Sequence, residues 1–334
     1  MKILATGIGL PADLISNEFL DEKLEMPAGY SLEKSGIKQR YFSARNELQS
    51  DLAAKAVVDA VKNANIDIKT VDLLISACGV QEQMLPCTAS IIASKLDLAD
   101  GIATFDVNAS CLSFIIALNI ASHFVESGVY KRIVIVSADQ ASKGINWDDP
   151  ESSLIFGDGA AATIIEKGSD KQGIKSYKFS TFTKGVDFCE IRGGGTRLMK
   201  IHKGINVEAD ANTEINTKDY LFHMQGKKLF KLVSEKMEDF LNDLYSQGSI
   251  DKDSIDVIVL HQASHLGMSH IVKRAGFAED KVINIYKTHG NQVGASLPST
   301  LHEGYVSNKI KDGSRVLLLG TGAGLSIGAM ILDA

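Results

Sequence analysis

The hexapeptide VDLLIS at residues 71–76 has a near copy, IDVIVL, at residues 255–260. In both copies an aspartate is followed by an unbroken run of apolar residues. A continuous apolar run, unlike an alternating one, is typical of a strand that is buried on both faces of its sheet, as in α/β proteins. The two copies therefore predict an α/β fold in which an equivalent strand occurs in each half of the chain.

A second pair of strands repeats the same relationship. KRIVIVSAD, which contains Arg132, resembles SRVLLLGTG, which contains Arg315. Asp72 and Arg132 are 60 residues apart, and Asp256 and Arg315 are 59 residues apart. Two matching strand pairs at nearly equal separation indicate an internal duplication, against the alternative that apolar strands resemble one another by chance.

The composition is that of an ordinary globular protein. The chain has 334 residues, of which 45% are apolar and 23% are charged, and its formal net charge is −6, which argues against a general nucleic-acid binder. No apolar run approaches the length of a membrane span, and glycines at positions 7 and 9 interrupt the apolar start, so we expect a first strand there and no membrane partner. The four cysteines form no C-x-x-C pair, and we expect a cytoplasmic protein.

Several further elements follow from the apolar pattern. The stretch after Cys111 has helical spacing and ends at Gly128, a residue type that commonly caps a helix C-terminus. The polar region from about 185 to 219 has little strand signal and is interpreted as an inserted loop. Strands are predicted to begin near Val71, Ala103, Arg132 and Ala160.

Three candidate functional residues follow strands of the duplicated pattern. Cys111 and Asn291 each come after the third strand of their own half, and His261 directly follows the second strand of the second half. If the two halves pack about a pseudo-dyad, these strand ends converge on one cleft, because pockets commonly form outside the carboxyl ends of parallel strands.

Cys111 has a setting that the other three cysteines lack. It lies at a strand-to-helix junction, where the free N–H groups and partial positive charge of a helix N-terminus stabilise a thiolate, the nucleophilic form of cysteine. The alternative is a small buried apolar residue, which is the commonest fate of a free cysteine.

The other candidates also have structural alternatives. His261 either handles a proton in the cleft or is a satisfied core histidine, and a shared metal with His265 lacks a third ligand nearby. Asn291 either caps the following helix or directs its amide into the cleft. The stretch LLLGTGAGLSIG has Leu325 in place of the third glycine of a dinucleotide motif, so we interpret it as a crossing between strands whose N–H groups could line an oxyanion hole.

Several motifs together resemble the β-ketoacyl-acyl-carrier-protein synthase III family of the thiolase superfamily. They are DVNASCLSFIIAL, IFGDGAAATII, HQASH, HGNQVGASLPSTL and GTGAGLSIG, in the family's order, with KSGIKQRYF near the N-terminus. The resemblance implies a thiolase-like five-layer αβαβα fold and a homodimer. We place the duplicated halves at residues 1–168, with the cysteine, and 169–334, with the histidine, the asparagine and the inserted loop.

The resemblance also implies a catalytic set and a reaction. Cys111 would accept an acyl group from acyl-CoA, and His261 and Asn291 would hydrogen-bond a malonyl thioester carbonyl and stabilise the enolate formed as CO₂ leaves. Attack on the acyl-cysteine is a decarboxylative Claisen condensation, with the N–H groups of Cys111 and Gly324 as the oxyanion hole. No metal or other cofactor is implied beyond the CoA or carrier-protein thioesters.

At the positions that the resemblance assigns to substrate contacts, this sequence departs from the family's usual residues. Tyr30 stands where the family often has a Trp near the CoA adenine, and Lys34 stands in place of an Arg, which keeps the charge and loses the planar fork. Leu85 occupies the position that closes the partner's acyl tunnel. A carrier-docking patch is implied at Lys231, Lys273 and Arg274, with a solvated helix face as the alternative.

Two other functions compete with the condensing synthase. One keeps the acyl-cysteine and transfers the acyl group to an amine or a hydroxyl. The other, from a different class, is a non-catalytic dimer partner that binds acyl chains or a synthase. The joint presence of Cys111, His261 and Asn291 favours condensation, because the enolate needs two donors and a scaffold needs none of the three.

Overall fold

A computed structural model describes residues 1–149, 151–198 and 216–334. Its strands are β1 (Lys2–Gly9), β2 (Asp13–Ser16), β3 (Gln39–Phe42), β4 (Leu73–Ser76), β5 (Ala103–Asp106), β6 (Arg132–Asp139), β7 (Gly159–Glu166), β8 (Gly173–Thr181), β9 (Cys189–Glu190), β10 (His223–Met224), β11 (Val257–Leu260), β12 (Val282–Ile283), β13 (Arg315–Gly322) and β14 (Ser326–Asp333). Its α-helices are α1 (Asn17–Lys23), α2 (Tyr30–Ser35), α3 (Gln49–Ala64), α4 (Thr88–Ala93), α5 (Ser113–Ser127), α6 (Gly226–Gly248), α7 (His265–Ala275), α8 (Tyr286–His289) and α9 (Ser296–Val306).

Two five-stranded sheets with the same topology form the frame. The first has the strand order β1-β7-β6-β4-β5, and the second has the order β8-β14-β13-β11-β12. In each sheet the three strands at one end run parallel and the other two are antiparallel to their neighbours. The duplication inferred from the two strand pairs is therefore visible as two equivalent sheets. The exact division at residues 168 and 169 stays a prediction.

The sheets and helices alternate in five layers. Helices α5 and α9 lie between the two sheets and contact both of them. Helices α3 and α4 cover the outer face of the first sheet, and α6 and α7 lie on the outer side of the second. Since each sheet has helices on both faces, its central strands are buried throughout, which explains why their sequences are continuously apolar.

The markers of the duplication pair directly with each other. The Asp72 carboxylate accepts the backbone N–H of Arg132 at 3.0 Å, and the Asp256 carboxylate accepts that of Arg315 at 2.8 Å. Each aspartate precedes the second strand of its half, and each arginine begins the neighbouring parallel strand. The equal spacing in the sequence therefore reflects one hydrogen-bonded strand junction that occurs twice.

The strands and the helix predicted from the apolar pattern are present in the structure. The four strands and the helix that ends at Gly128 are present, and Gly128 adopts a left-handed φ of 75°. In the region 185–219, residues 199–215 lie outside the described residues, and the described parts contain short 3₁₀ turns and the two-residue strand β9.

One expectation about membrane spans was wrong. The helical stretch Ser110–Ser127 is long and apolar enough to cross a membrane by length and composition, with a mean hydropathy of 1.3. Half of this stretch is buried inside the protein. It is apolar on most of its surface because α5 is sandwiched between two sheets, and a buried core helix meets the same criteria as a span.

Candidate active site

Cys111 lies in a 3₁₀ turn, Ser110–Leu112, between β5 and α5. Ser110 has a left-handed φ of 54°, a conformation that non-glycine residues rarely adopt. The N–H of Ser110 donates to Oδ1 of Asn108 at 3.1 Å, which supports this tight turn locally. The turn follows β5, and Cys111 lines a cavity of about 1640 Å³.

The surroundings of Cys111 oppose the stabilisation of a thiolate that its strand-to-helix junction suggests. Burial raises the pKa of the Cys111 thiol to about 12, and the nearby Asp139 and Cys189 raise it further. The backbone N–H groups of Cys111 and Ala323 act in the opposite direction on the pKa, with a smaller effect. The physical reason is that desolvation in the enclosed site outweighs the local N–H groups, so Cys111 is a neutral thiol before substrate binds.

His261 is the first residue after β11 and is only 5% exposed. Its backbone N–H donates to the carbonyl of Leu319 at 2.9 Å, which continues the pairing of β11 with β13 past the strand end. Burial lowers the pKa of His261 to about 4, so the imidazole is neutral at physiological pH. Its Nδ1 has no hydrogen-bond partner among the described residues, and the ring lines the cavity. A neutral imidazole with a free N–H is suited to donate a hydrogen bond to a substrate oxygen.

Asn291 is held by its backbone across the boundary between the two halves. Its N–H donates to the carbonyl of Ile155 at 2.8 Å, and its carbonyl accepts from the N–H of Gly157 at 3.1 Å. Its side-chain Oδ1 accepts from the N–H of Val293 at 2.9 Å, and Nδ2 donates to the carbonyl of Ala263 at 3.3 Å. Asn291 is thus five residues before α9 and does not cap it. This arrangement leaves one amide N–H of Asn291 free for the cavity.

The same cavity gathers the predicted catalytic residues. Cys111, His261, Asn291 and Gly324 all line it. Gly324 lies in the short crossing between β13 and β14 and has a φ of 100°, which favours glycine. Cys111 comes from the first half of the chain, and the other three residues come from the second. The two halves therefore meet around a single cavity, as the strand-end argument predicts.

The two turns at the site are copies of one another. NASCLS (108–113) and NQVGAS (291–296) both begin with an asparagine whose Oδ1 accepts the N–H two residues later. Both have a left-handed residue at the third position, Ser110 in one and Val293 in the other. In this register the counterpart of Cys111 is a glycine, Gly294, and the counterpart of Asn291 is another asparagine.

The turns are exchanged between the halves. The turn that carries Cys111 packs against β13 of the second sheet, and the turn Val293–Ala295 packs against β6 of the first. Gly320 and Gly322 of β13 make room for the first of these contacts, because a Cβ at either position would approach Leu112 or Ala109. The sequence motifs alone do not show this exchange.

Of the residues predicted to contact CoA or the acyl chain, only Lys34 lines the cavity among the described residues. Lys34 lines the cavity, and its Nζ lies 5.8 Å from the centre of the Tyr30 ring, which itself is not among the lining residues. Lys34 also forms an exposed ion pair with Glu33 at 3.6 Å. Leu85 lies outside the cavity of this chain and is 83% exposed. The roles of these residues stay predictions.

The predicted carrier-docking residues lie on two adjacent helices. Lys231 is on α6, and Lys273 and Arg274 are on α7, which packs against α6. All three side chains are exposed, and Arg274 forms an ion pair with Glu238 at 3.6 Å. They lie outside the cavity lining, so any contact with a carrier protein would be made on the outer surface.

Two buried charged residues near the site were missed by the sequence analysis. Asp139 lies at the end of β6 and lines the cavity. Arg40, at the centre of β3, is completely buried and donates to the carbonyls of Leu154 and Phe156. A charged residue inside or next to an apolar strand was the available signal, since such residues are rarely buried without a specific partner.

Two parts of the chain match models of one enzyme family. Residues 105–185 match 3-oxoacyl-[acyl-carrier-protein (ACP)] synthase III, and residues 246–334 match the C-terminal part of the same enzyme. A curated β-ketoacyl-[acyl-carrier-protein] synthase III from Neisseria gonorrhoeae is 33% identical over 332 residues, which cover 99% of this chain and 98% of that protein. The chain belongs to the β-ketoacyl-acyl-carrier-protein synthase III family.

Other members of the synthase III family agree with this assignment. A relative from Clostridium perfringens is 32% identical over 331 residues, covering 99% of this chain and 98% of that protein. The crystal structure of a synthase III from Thermus thermophilus is 27% identical and covers 100% of this chain and 99% of that one, with a TM-score of 0.87. The family inferred from the motifs and the thiolase-like fold are confirmed, and the chain is a condensing enzyme of the synthase III type.

Proposed function

We propose that this synthase III catalyses a decarboxylative Claisen condensation through Cys111, His261 and Asn291. The observation that carries the proposal is their convergence on one cavity, which is lined by a thiol and by two uncharged side chains that can donate an N–H. A thiol alone supports acyl transfer, whereas two neutral donors provide what an enolate oxygen needs.

In the first half-reaction Cys111 takes the acyl group of an acyl-CoA. The sulfur attacks the thioester carbonyl, the C–S bond to CoA breaks, and the thiol proton ends on the departing CoA sulfur. The N–H groups of Cys111 and Gly324 are proposed to stabilise the tetrahedral oxyanion. A thiol whose pKa is about 12 loses its proton only as the attack proceeds, so the free enzyme is protected from unproductive nucleophilic reactions.

In the second half-reaction a malonyl thioester occupies the same cavity. As CO₂ leaves, His261 and Asn291 donate hydrogen bonds to the thioester oxygen and stabilise the enolate. The carbanion attacks the acyl-cysteine, the C–S bond to Cys111 breaks, and the released sulfur takes up a proton from solvent. His261 serves this step because it is neutral, since an imidazolium would protonate the carbanion that it has to stabilise.

The remaining parts of the proposal concern partners. The proposed reaction uses no metal or further cofactor, because the C–C bond to the carboxylate breaks as CO₂ leaves and its electron pair stays on the α-carbon as the carbanion. We propose a homodimer, supported by the large exposed side chain of Leu85 and by the half-buried edge strand β5, one edge of which pairs with no strand among the described residues. We also propose a cytoplasmic location. A carrier protein is proposed to dock at Lys231, Lys273 and Arg274, where the surface is basic.

Intact-protein mass spectrometry tests the function directly. The protein is incubated with a panel of acyl-CoAs and then with malonyl-CoA or a malonyl carrier protein. We expect an acyl adduct that is lost in Cys111→Ala and kept in Cys189→Ala, a control thiol that lines the same cavity. Discharge of the adduct with release of CO₂ establishes condensation. An adduct that only an amine or hydroxyl discharges would replace this proposal by an acyltransferase, and loss of the adduct in Cys189→Ala alone would reassign the nucleophile.

A further inference from the structure

Asp139 is a buried carboxylate at the meeting point of the two halves. It ends β6, is 1% exposed and lines the cavity that contains Cys111. Its two oxygens accept the N–H of Gly79 at 3.1 and 3.0 Å, and one of them accepts the N–H of Val80 at 2.9 Å. These two donors belong to its own half, in the loop that follows β4.

The third donor to Asp139 comes from the other half. The N–H of Gly294 donates to Oδ2 of Asp139 at 3.0 Å. Gly294 lies in the turn that begins at Asn291, and it fits there because a Cβ would lie 2.9 Å from the Asp139 oxygen and 2.7 Å from the N of Gly79. Because Gly294 has no side chain to pack, the hydrogen bond to the Asp139 carboxylate connects this turn to the first half.

The turn that Asp139 holds is strained. Val293 has a φ of 51°, and a β-branched residue is a genuine outlier in this left-handed region. Such a conformation persists only when its surroundings determine it. The N–H of Val293 binds Oδ1 of Asn291, and the next N–H, that of Gly294, binds Asp139. Asp139 and Asn291 thus hold the strained turn from opposite sides.

The charge of Asp139 works against the formation of a Cys111 thiolate. It is among the causes that raise the pKa of Cys111, after burial. No basic side chain in the described part of the chain forms a salt bridge with it. The contact that Asp139 makes with the other half, from the N–H of Gly294 at 3.0 Å, leads to the turn that begins at Asn291.

We propose that Asp139 is a positioning residue for Asn291, which it serves by fixing the turn Val293–Ala295 across the boundary between the halves. It acts on the decarboxylation half-reaction and not on the acylation of Cys111. This inference rests on the proposed function, in which Asn291 donates to the malonyl thioester oxygen. A displacement of about 1 Å at a catalytic donor is enough to cost about 10²-fold in rate.

The test is Asp139→Asn, which keeps the shape of the side chain and directs an NH₂ group against the backbone donors. Acylation by the acyl-CoA that labels the unmodified protein fastest, and CO₂ release from malonyl-CoA by the acylated protein, are measured separately in single turnovers. We expect acylation to be unchanged or faster, because a negative charge near Cys111 is removed, and CO₂ release to fall by about 10²-fold. A structural defect alone would lower both rates together.

Asp106→Asn is the matched control. The Asp106 carboxylate also accepts two backbone N–H groups, those of Thr88 and Ala89, but it holds α4 and not the turn with Asn291. We expect both rates to be unchanged in this control. If Asp139→Asn does not fold, Gly294→Ala tests the same contact with the carboxylate intact, since the new Cβ separates the turn from Asp139. Selective loss of CO₂ release is again expected.

Three results would overturn the inference. They are a parallel fall of acylation and CO₂ release, an unchanged rate of CO₂ release in Asp139→Asn, and an equal selective loss in Asp106→Asn. Labelling and discharge of the unmodified protein come first and test the proposed function by itself. Failure of that first measurement is therefore distinct from failure of the role assigned to Asp139.

Discussion

Gly157→Ala should separate the two half-reactions of this synthase, because Gly157 touches the backbone that carries Asn291. A Cβ at residue 157 would lie 2.0 Å from the carbonyl oxygen of His289 and 3.3 Å from the Cβ of Arg40. The N–H of Gly157 also donates to the carbonyl of Asn291 at 3.1 Å. The close approach is between two backbones, so no side-chain rotation can relieve it.

The geometry sets the size of the effect. Ordinary contacts of a Cβ begin at 3.4 Å, so the two segments must separate by about 1.4 Å at this point. Overpacking of this kind costs about 1–3 kcal/mol of stability. A shift of about 1 Å in Asn291 costs about 10²-fold in the rate of decarboxylation. Cys111 lies on a different turn, which packs against β13 as well as against the turn Val293–Ala295, so its acylation should change less than decarboxylation.

The assay follows both half-reactions in the same sample. Adduct formation on Cys111 is measured by intact-protein mass spectrometry, and CO₂ release is measured after addition of malonyl-CoA. Gly195→Ala is the control, because a Cβ there meets no atom within 4 Å among the residues that the structure describes, and its backbone is not left-handed. Wild-type condensation by Gly157→Ala, or a loss of acylation equal to the loss of CO₂ release, would refute the reasoning.

Two further predictions concern His261 and Leu85. Because burial lowers the pKa of His261 to about 4, its ring NMR signal, identified by its absence in His261→Asn, should not titrate between about pH 8 and about pH 5. The contribution of the neutral His261 ring to the free energy of unfolding is then full above the unfolded pKa of about 6.5 and is lost as the pH falls through the folded pKa. An NMR titration near pH 6.5 would instead show a solvated ring and contradict the prediction. Leu85→Asp should increase the monomer fraction in sedimentation velocity relative to Leu266→Asp. Leu266 is a control of similar exposure, 75% against 83%, that is not part of the proposed dimer contact. An unchanged dimer would remove Leu85 from the interface.

The sequence by itself determined the duplication and the strand ends that carry the site. Apolar runs have a local pattern, and the repeated spacing of Asp72 with Arg132 records a junction that is local to one sheet. The same logic placed Cys111, His261 and Asn291 after strands whose ends meet at one edge, and the structure shows that all three line one cavity. The likeness of the turns NASCLS and NQVGAS is present in the sequence, but the sequence analysis did not use it, and the structure shows that Cys111 corresponds to Gly294.

Only the tertiary structure decided what holds and tunes these residues. The exchange of the two turns between the sheets, the backbone pairing of Asn291 with Ile155 and Gly157, and the contact of Asp139 with Gly294 all join segments more than 130 residues apart. The neutral state of Cys111 has the same origin, because desolvation depends on everything that surrounds the thiol and not on the turn that carries it. Local pattern specifies strands and turns, whereas burial and contacts across the pseudo-dyad arise only when the two halves pack together.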